Sequence, residues 1–407
     1  MGVDEPKTSL PGTNPESALG VYISVPFCRA KCSFCNFASG VSSPAAIEAY
    51  VTKLCHEIST APLTAARLHA NLPRIVNTLY FGGGTPSLLE PAQLRRIFTA
   101  LRQSFQIAPG AEITLEAAPG QIADTVLAEV QRQGVNRISL GVQSFVDRES
   151  AAVGRSHTEQ DCIHEILRLQ ASGVANVGAD LIAGLPYQTT ESWQHSLEVA
   201  TSIGLTHLSV YMLEIDEDSR LGREVIAGGQ RFHAHGVPTD EFSATFYETA
   251  CEWLPQHGFP QYEISNFAPA THQSRHNLKY WQRAPYFGFG LDAHSMLLRP
   301  NGAVRFANPE ELSHYGPQQI PSAPIDVFER EAFEETIFLG LRMNEGISPL
   351  QLRQQFPHQL IASAEIAASE LIHDGLMIEH NGRWRLTLRG RLLSNDVFTN
   401  LLMGVAV

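Results

Sequence analysis

Short apolar and β-branched runs recur through the first half of the chain, near 21–25, 78–81, 113–116, 137–142, 177–183 and 207–212. Between them, stretches at 45–58, 91–105, 122–133, 159–172 and 191–203 place apolar residues three and four apart, with polar residues on the opposite face. A short apolar run bounded by turn signals predicts a buried strand, and three-and-four spacing predicts an amphipathic helix. Six strand-helix units in succession predict a parallel sheet with helices outside it, an incomplete (β/α)6 barrel of the triosephosphate isomerase type.

The pattern changes further along the chain. A mixed α+β connecting region is expected over 216–323, and from 324 the helical spacing returns over 328–341, 349–356 and 361–373, where Gly375 stops it. Two short strand-like runs, 376–379 and 384–388, flank Asn381-Gly382, a dipeptide suited to a tight hairpin turn. Helices followed by such a hairpin predict a winged-helix-like domain over 324–407. At the other end, residues 1–20 are rich in Pro, Gly and Ser without an apolar run, which predicts a flexible lead before a barrel over 21–215.

Composition narrows the function classes. The 407 residues are 43% hydrophobic, enough for a sizeable core and two or three domains. No stretch approaches the ~20 apolar residues of a membrane span, so a cytoplasmic protein is expected. The net charge of -13 disfavours a general binder of phosphate backbones. The helix that would read DNA in a winged helix carries Glu365 and Glu370, with Asp374 after it and no Lys or Arg. A nucleic-acid-binding regulator is therefore the weakest of three function classes, and no nucleic-acid partner is expected.

The chemistry-bearing residues fall at one end of the predicted sheet. Cys28 follows the first strand, Gly82-Gly83-Gly84-Thr85-Pro86 the second, Glu116 closes the third, Gln143 follows the fourth and Asp180 lies in the fifth. Carboxyl ends of parallel barrel strands converge on one face, where such barrels place their sites. The glycine run lacks the Gly-Lys-Ser/Thr of a phosphate loop, so it is a tight turn that lets a ligand approach the backbone. The G-x-G-x-x-A at 288–293 lacks the strand-helix-strand context of a dinucleotide site and is discounted.

Half of the six cysteines, Cys28, Cys32 and Cys35, form a C-x3-C-x2-C array. Three thiolates can hold three irons of a [4Fe-4S] cluster and leave the fourth open to a ligand that is not protein. A structural zinc site closes its tetrahedron with a second ligand pair, which is missing here. Cys55, Cys162 and Cys251 stand alone in helix-like sequence, as small buried apolar side chains do.

The order YISVPFCRAKCSFC, FGGGTPSLL, EITLEAAPG, NRISLGVQSF, VGRSH and DLIAGLP resembles the radical S-adenosylmethionine superfamily. Within it the chain is similar to the branch holding oxygen-independent coproporphyrinogen III oxidase and the haem chaperone HemW. The resemblance implies that Cys28, Cys32 and Cys35 bind the cluster and that S-adenosylmethionine chelates its open iron. It implies that Tyr22, Phe34, Gly83, Gly84, Thr85, Glu116, Gln143, Arg155 and Asp180 hold S-adenosylmethionine.

Two departures separate the chain from the oxidase pattern. Phe37 stands where the oxidase has a further cysteine, and the lead is far shorter than the oxidase's tyrosine-containing segment. The segment His276-Asn277-Leu278-Lys279-Tyr280-Trp281 resembles the HNxxYW signature of the HemW group. By that resemblance His276, Tyr280 and Trp281 are haem-site candidates, imidazole being a common axial ligand and aromatic rings suiting a flat macrocycle. Ser274 stands where relatives often have cysteine, and Leu291-Asp292 interrupts a run that is usually smaller and less acidic. The resemblance implies haem as cargo and haem proteins as acceptors, respiratory or membrane-associated ones among them. It also implies an electron donor where S-adenosylmethionine is cleaved; the sequence leaves monomer and homodimer open. The oxidase, which decarboxylates two propionates by radical chemistry, is the enzyme alternative.

Overall fold

The computed structural model describes residues 18–316 and 322–403. Most of the expected lead lies outside the described residues, and Leu19 and Gly20, assigned to it from composition, already belong to the first strand.

Six parallel strands form in chain order where apolar runs predict them: β1 (Leu19–Ser24), β2 (Ile75–Gly82), β3 (Gln106–Ala117), β4 (Arg137–Gln143), β5 (Asn176–Ala183) and β6 (His207–Met212). Their buried apolar faces, among them Val21, Ile23, Leu79, Phe81, Leu115, Leu140 and Leu181, pack under the outer helices. Those helices are Pro44–Arg67, Pro91–Ser104, Asp124–Arg132, Glu159–Ala171 and Thr190–Ser202. The first runs well past 58, through Pro62, because Ala61 and Ala65 continue its buried stripe.

The connecting region adds to the same sheet. β7 (Asn266–Phe267) lies antiparallel to β6. β8 (Tyr286–Phe289) lies parallel to β1 and carries β9 (His294–Arg299), β10 (Gly302–Ala307) and β11 (Ser322–Val327) as antiparallel neighbours. The G-x-G-x-x-A segment is the turn from β8 into β9, where the Gly290 N–H donates to Glu57.

The C-terminal helices Glu329–Gly340, Pro349–Gln355 and His358–His373 surround a separate core of Phe333, Ile337, Leu352, Leu371 and Trp384. The hairpin of β12 (Met377–His380) and β13 (Arg383–Leu386) completes the winged-helix-like arrangement. Asn381 and Gly382 turn it with φ of 51° and 67°, the left-handed pair that a two-residue hairpin loop requires. Two further helices, Leu388–Leu392 and Ser394–Met403, follow and bring Arg391 to the barrel mouth.

Candidate functional site

The loop after β1 carries the three cysteines and is held by backbone bonds. Cys28 N–H donates to Gly40 O at 3.0 Å and Gly40 N–H to Pro26 O at 3.0 Å, closing its base. Ser33 N–H donates to Val153 O at 3.1 Å, and Ser33 O accepts from Leu221 N–H at 2.8 Å, which ties its middle to neighbouring helices. The cysteines border a cavity of about 1030 Å³ at the carboxyl ends of the strands. Thr85 Oγ1 lies 3.6 Å from Cys28 Sγ, and Ser39 Oγ lies 3.9 Å from Cys35 Sγ. Burial pushes the Cys32 thiol up, and the nearby Arg155 guanidinium works against that.

Eight of the nine residues expected to hold S-adenosylmethionine line this cavity: Phe34, Gly83, Gly84, Thr85, Glu116, Gln143, Arg155 and Asp180. Tyr22 does not. It lies behind Gly83 and lines a second crevice of about 330 Å³ with Tyr280, Tyr286 and Asp292. Gly83 has φ +91°, and a Cβ on Gly84 would stand 2.6 Å from Val25 O, so this turn accepts only glycine. Gln143 holds φ +70° without being glycine, a strained backbone of the kind that collects at binding sites.

The polar lining is only partly satisfied from within the protein. Tyr80 O–H donates to Glu116 at 2.7 Å, and burial, together with the charge of Asp180, pushes the Glu116 carboxyl up to about 7. Burial also raises Asp180, against hydrogen bonds from Ser139 and Ser209. Arg155 Nε is buried without a partner among the described residues. A guanidinium with an unpartnered Nε, a carboxylate beside a glycine turn and three thiols on one loop fit an amino-acid ligand with a ribose at an open iron. When bound, that pair supplies the one-electron chemistry, and the protein orients it.

The amino ends of the same strands are closed by the helix Arg275–Trp281, the HNxxYW segment. Glu112 of β3 accepts from the N–H groups of Arg275 and His276 at 3.1 and 2.9 Å, an anion placed at a helix N-terminus. The same carboxylate pairs with Arg137 of β4 at 3.2 Å, with both side chains buried. Ser274, where cysteine was expected from relatives, caps the helix through Asn277 N–H.

His276 is 1% exposed. Its Nδ1 lies 2.9 Å from Thr78 Oγ1 and its Nε2 2.9 Å from Tyr280 Oη. The ring stacks on Tyr80, and burial, with the Lys279 charge, lowers its basicity to about 3. Both ring nitrogens of His276 are thus engaged inside the barrel floor. Tyr280 faces the smaller crevice, while the Trp281 ring carries the Arg342 guanidinium at 5.5 Å. His276 and Tyr280 thus meet directly, and the Trp281 ring lies against Arg342.

Sequence reasoning missed several residues of the main cavity. Ser139, which lines it, and Tyr80, which bonds its Glu116, alternate with core residues along β4 and β2, a signal that inward spacing contains. Tyr211 and Met212 at the end of β6 are 43% and 41% exposed and form an apolar wall of the cavity. Arg342, Arg391, Leu392, Ser394 and Asn395 arrive from the C-terminal region, and no motif spacing announces them.

Comparisons with known proteins agree with this geometry. Residues 22–200 match the family described as radical SAM superfamily, and 329–393 match the HemN C-terminal domain. The heme chaperone HemW of Lactococcus lactis is 31% identical over 96% of this chain and 98% of its own length. HemW of Synechocystis is 36% identical over 81% of this chain and 79% of its own. The solved coproporphyrinogen III oxidase HemN of Escherichia coli superposes with a TM-score of 0.78 at 25% identity, covering 97% of this chain and 91% of that one. On sequence identity over nearly its whole length, joined to the three-cysteine loop and its glycine cradle, the chain belongs to the HemW family of radical SAM proteins.

Proposed function

We propose that the protein is a haem chaperone: it binds a [4Fe-4S] cluster and S-adenosylmethionine at the barrel mouth, holds haem beside them, and passes it to acceptor haem proteins. The observation that carries this reading is the size and make-up of the cavity that the three cysteines border. Its ~1030 Å³ stands at the upper end of the range for a single small-molecule site. The cysteine and glycine loops occupy one end, and Tyr211, Met212, Ile264 and Leu392 offer an apolar wall at the other. A flat, largely apolar macrocycle suits that wall. Phe37, in the place of the oxidase's further cysteine, is 62% exposed and lines both the cavity and the crevice.

The acceptor would be a haem protein rather than a nucleic acid. On the helix His358–His373, Glu365 already pairs with Arg353, and the helix offers no cation for phosphate. Among the described residues no helix is long and apolar enough to cross a membrane, so delivery to a membrane-associated acceptor would run through a protein surface.

Two assays on anaerobically reconstituted protein test the reading. Titration with haem should produce a saturable Soret shift, and incubation with coproporphyrinogen III, S-adenosylmethionine and reductant should leave the porphyrinogen unchanged. Formation of protoporphyrinogen would replace the chaperone by the oxidase.

A further inference from the structure

Of the cations lining the main cavity, two come from outside the barrel. Arg342 follows the helix Glu329–Gly340, and Arg391 lies in the helix Leu388–Leu392. Together with Leu392, Ser394 and Asn395 they are the C-terminal region's contribution to the cavity among the described residues, two cations and no carboxylate.

Arg342 is unusual for a half-buried arginine. Its guanidinium makes no hydrogen bond or ion pair among the described residues, although it sits 5.5 Å over the Trp281 ring and 5.4 Å over the Phe398 ring. Burial lowers its pKa, and the opposing charge that acts on it is the buried Glu263, whose own carboxyl burial pushes up to about 7. Beside it, the Trp281 indole N–H is buried without an acceptor. Arg391 uses one nitrogen on Gln261, and its planar fork has further N–H groups to offer. A guanidinium clamped by aromatic faces, as in Arg342, and the open fork of Arg391 both suit a planar anion.

We propose that Arg342 and Arg391 form a carboxylate-recognition corner at the far end of the cavity, and that they hold the propionate groups of the tetrapyrrole. This rests on the haem-handling reading and names the part of the ligand that the C-terminal region grips. The apolar wall of Tyr211, Met212 and Ile264 takes the macrocycle, and the corner sets which edge faces away from the cysteine loop. Trp281 then serves the ligand indirectly, by holding the Arg342 guanidinium, rather than by stacking on the ring.

The test compares haem with haem dimethyl ester, in which both carboxylates are blocked, on the cluster-loaded full chain. Wild type should bind haem at least tenfold more tightly than the diester, and Arg342→Gln/Arg391→Gln should bind both with the weaker affinity. Equal affinities of wild type for the two ligands would overturn the corner while leaving haem handling intact. So would a double variant that keeps the wild-type preference. A wild type that binds neither ligand would remove the haem reading itself. If the double variant fails to fold, the wild-type comparison of the two ligands still decides.

Discussion

The two ends of the barrel carry similar residue types in opposite states. At the amino end, Glu112, Arg137, Thr78, His276 and Tyr280 are buried or half-buried and bonded to one another. At the carboxyl end, Arg155 Nε is orphaned, Gln143 is strained and the glycine turn is open. A histidine in a family signature and a lone arginine look alike in sequence; the difference is unfilled bonding capacity. Groups that satisfy each other hold the fold, and groups left waiting face a ligand.

This contrast predicts opposite outcomes for substitutions at the two ends. Cys32→Ala should abolish the iron-sulfur absorbance of reconstituted protein and leave the unfolding midpoint of cluster-free protein within error. Retention of full iron content would break the assignment. Glu112→Ala should do the reverse: removing one partner of the buried pair costs about 3–5 kcal/mol in urea unfolding. S-Adenosylmethionine affinity of the folded fraction should stay unchanged.

Glu116 connects the two behaviours through pH. Its folded carboxyl titrates at about 7 against an ordinary value of 4.5, because of burial. Below the lower value both states are protonated. Between the two, the unfolded chain gives up a proton that the folded protein keeps, so stability falls as pH rises and levels off above about 7. Glu116→Gln should remove that fall, while the slopes contributed by Glu57 and Glu263, also raised to about 7, remain. The same variant should weaken S-adenosylmethionine binding by about 1.5–3 kcal/mol above pH 7, the range for a hydrogen bond to a charged group. Calorimetric titration at pH 8 checks the second effect.

Much of the barrel was legible because parallel strands buried on both faces write continuous apolar runs, as at 177–183. The cysteine and glycine loops were legible because their chemistry is local in sequence. β8 to β10 were not predicted: 286–307 is broken by Gly290, Pro300 and Gly302, and its pairing with β1 spans most of the chain. The cavity's far end was hidden for the same reason, since Arg342 and Arg391 reach it only through the packing of the C-terminal region. The surroundings of His276 were not legible because a motif names residues and not their partners. Thr78, 198 positions away, takes its Nδ1, and no spacing rule contains that contact.

The most direct test is His276→Ala measured twice, by haem titration and by urea unfolding. Haem should bind with unchanged affinity and Soret position, while stability drops by about 1–3 kcal/mol as Thr78 and Tyr280 lose a buried partner. Loss of the haem band at full stability would make His276 the haem ligand and would contradict the division between the two ends of the barrel.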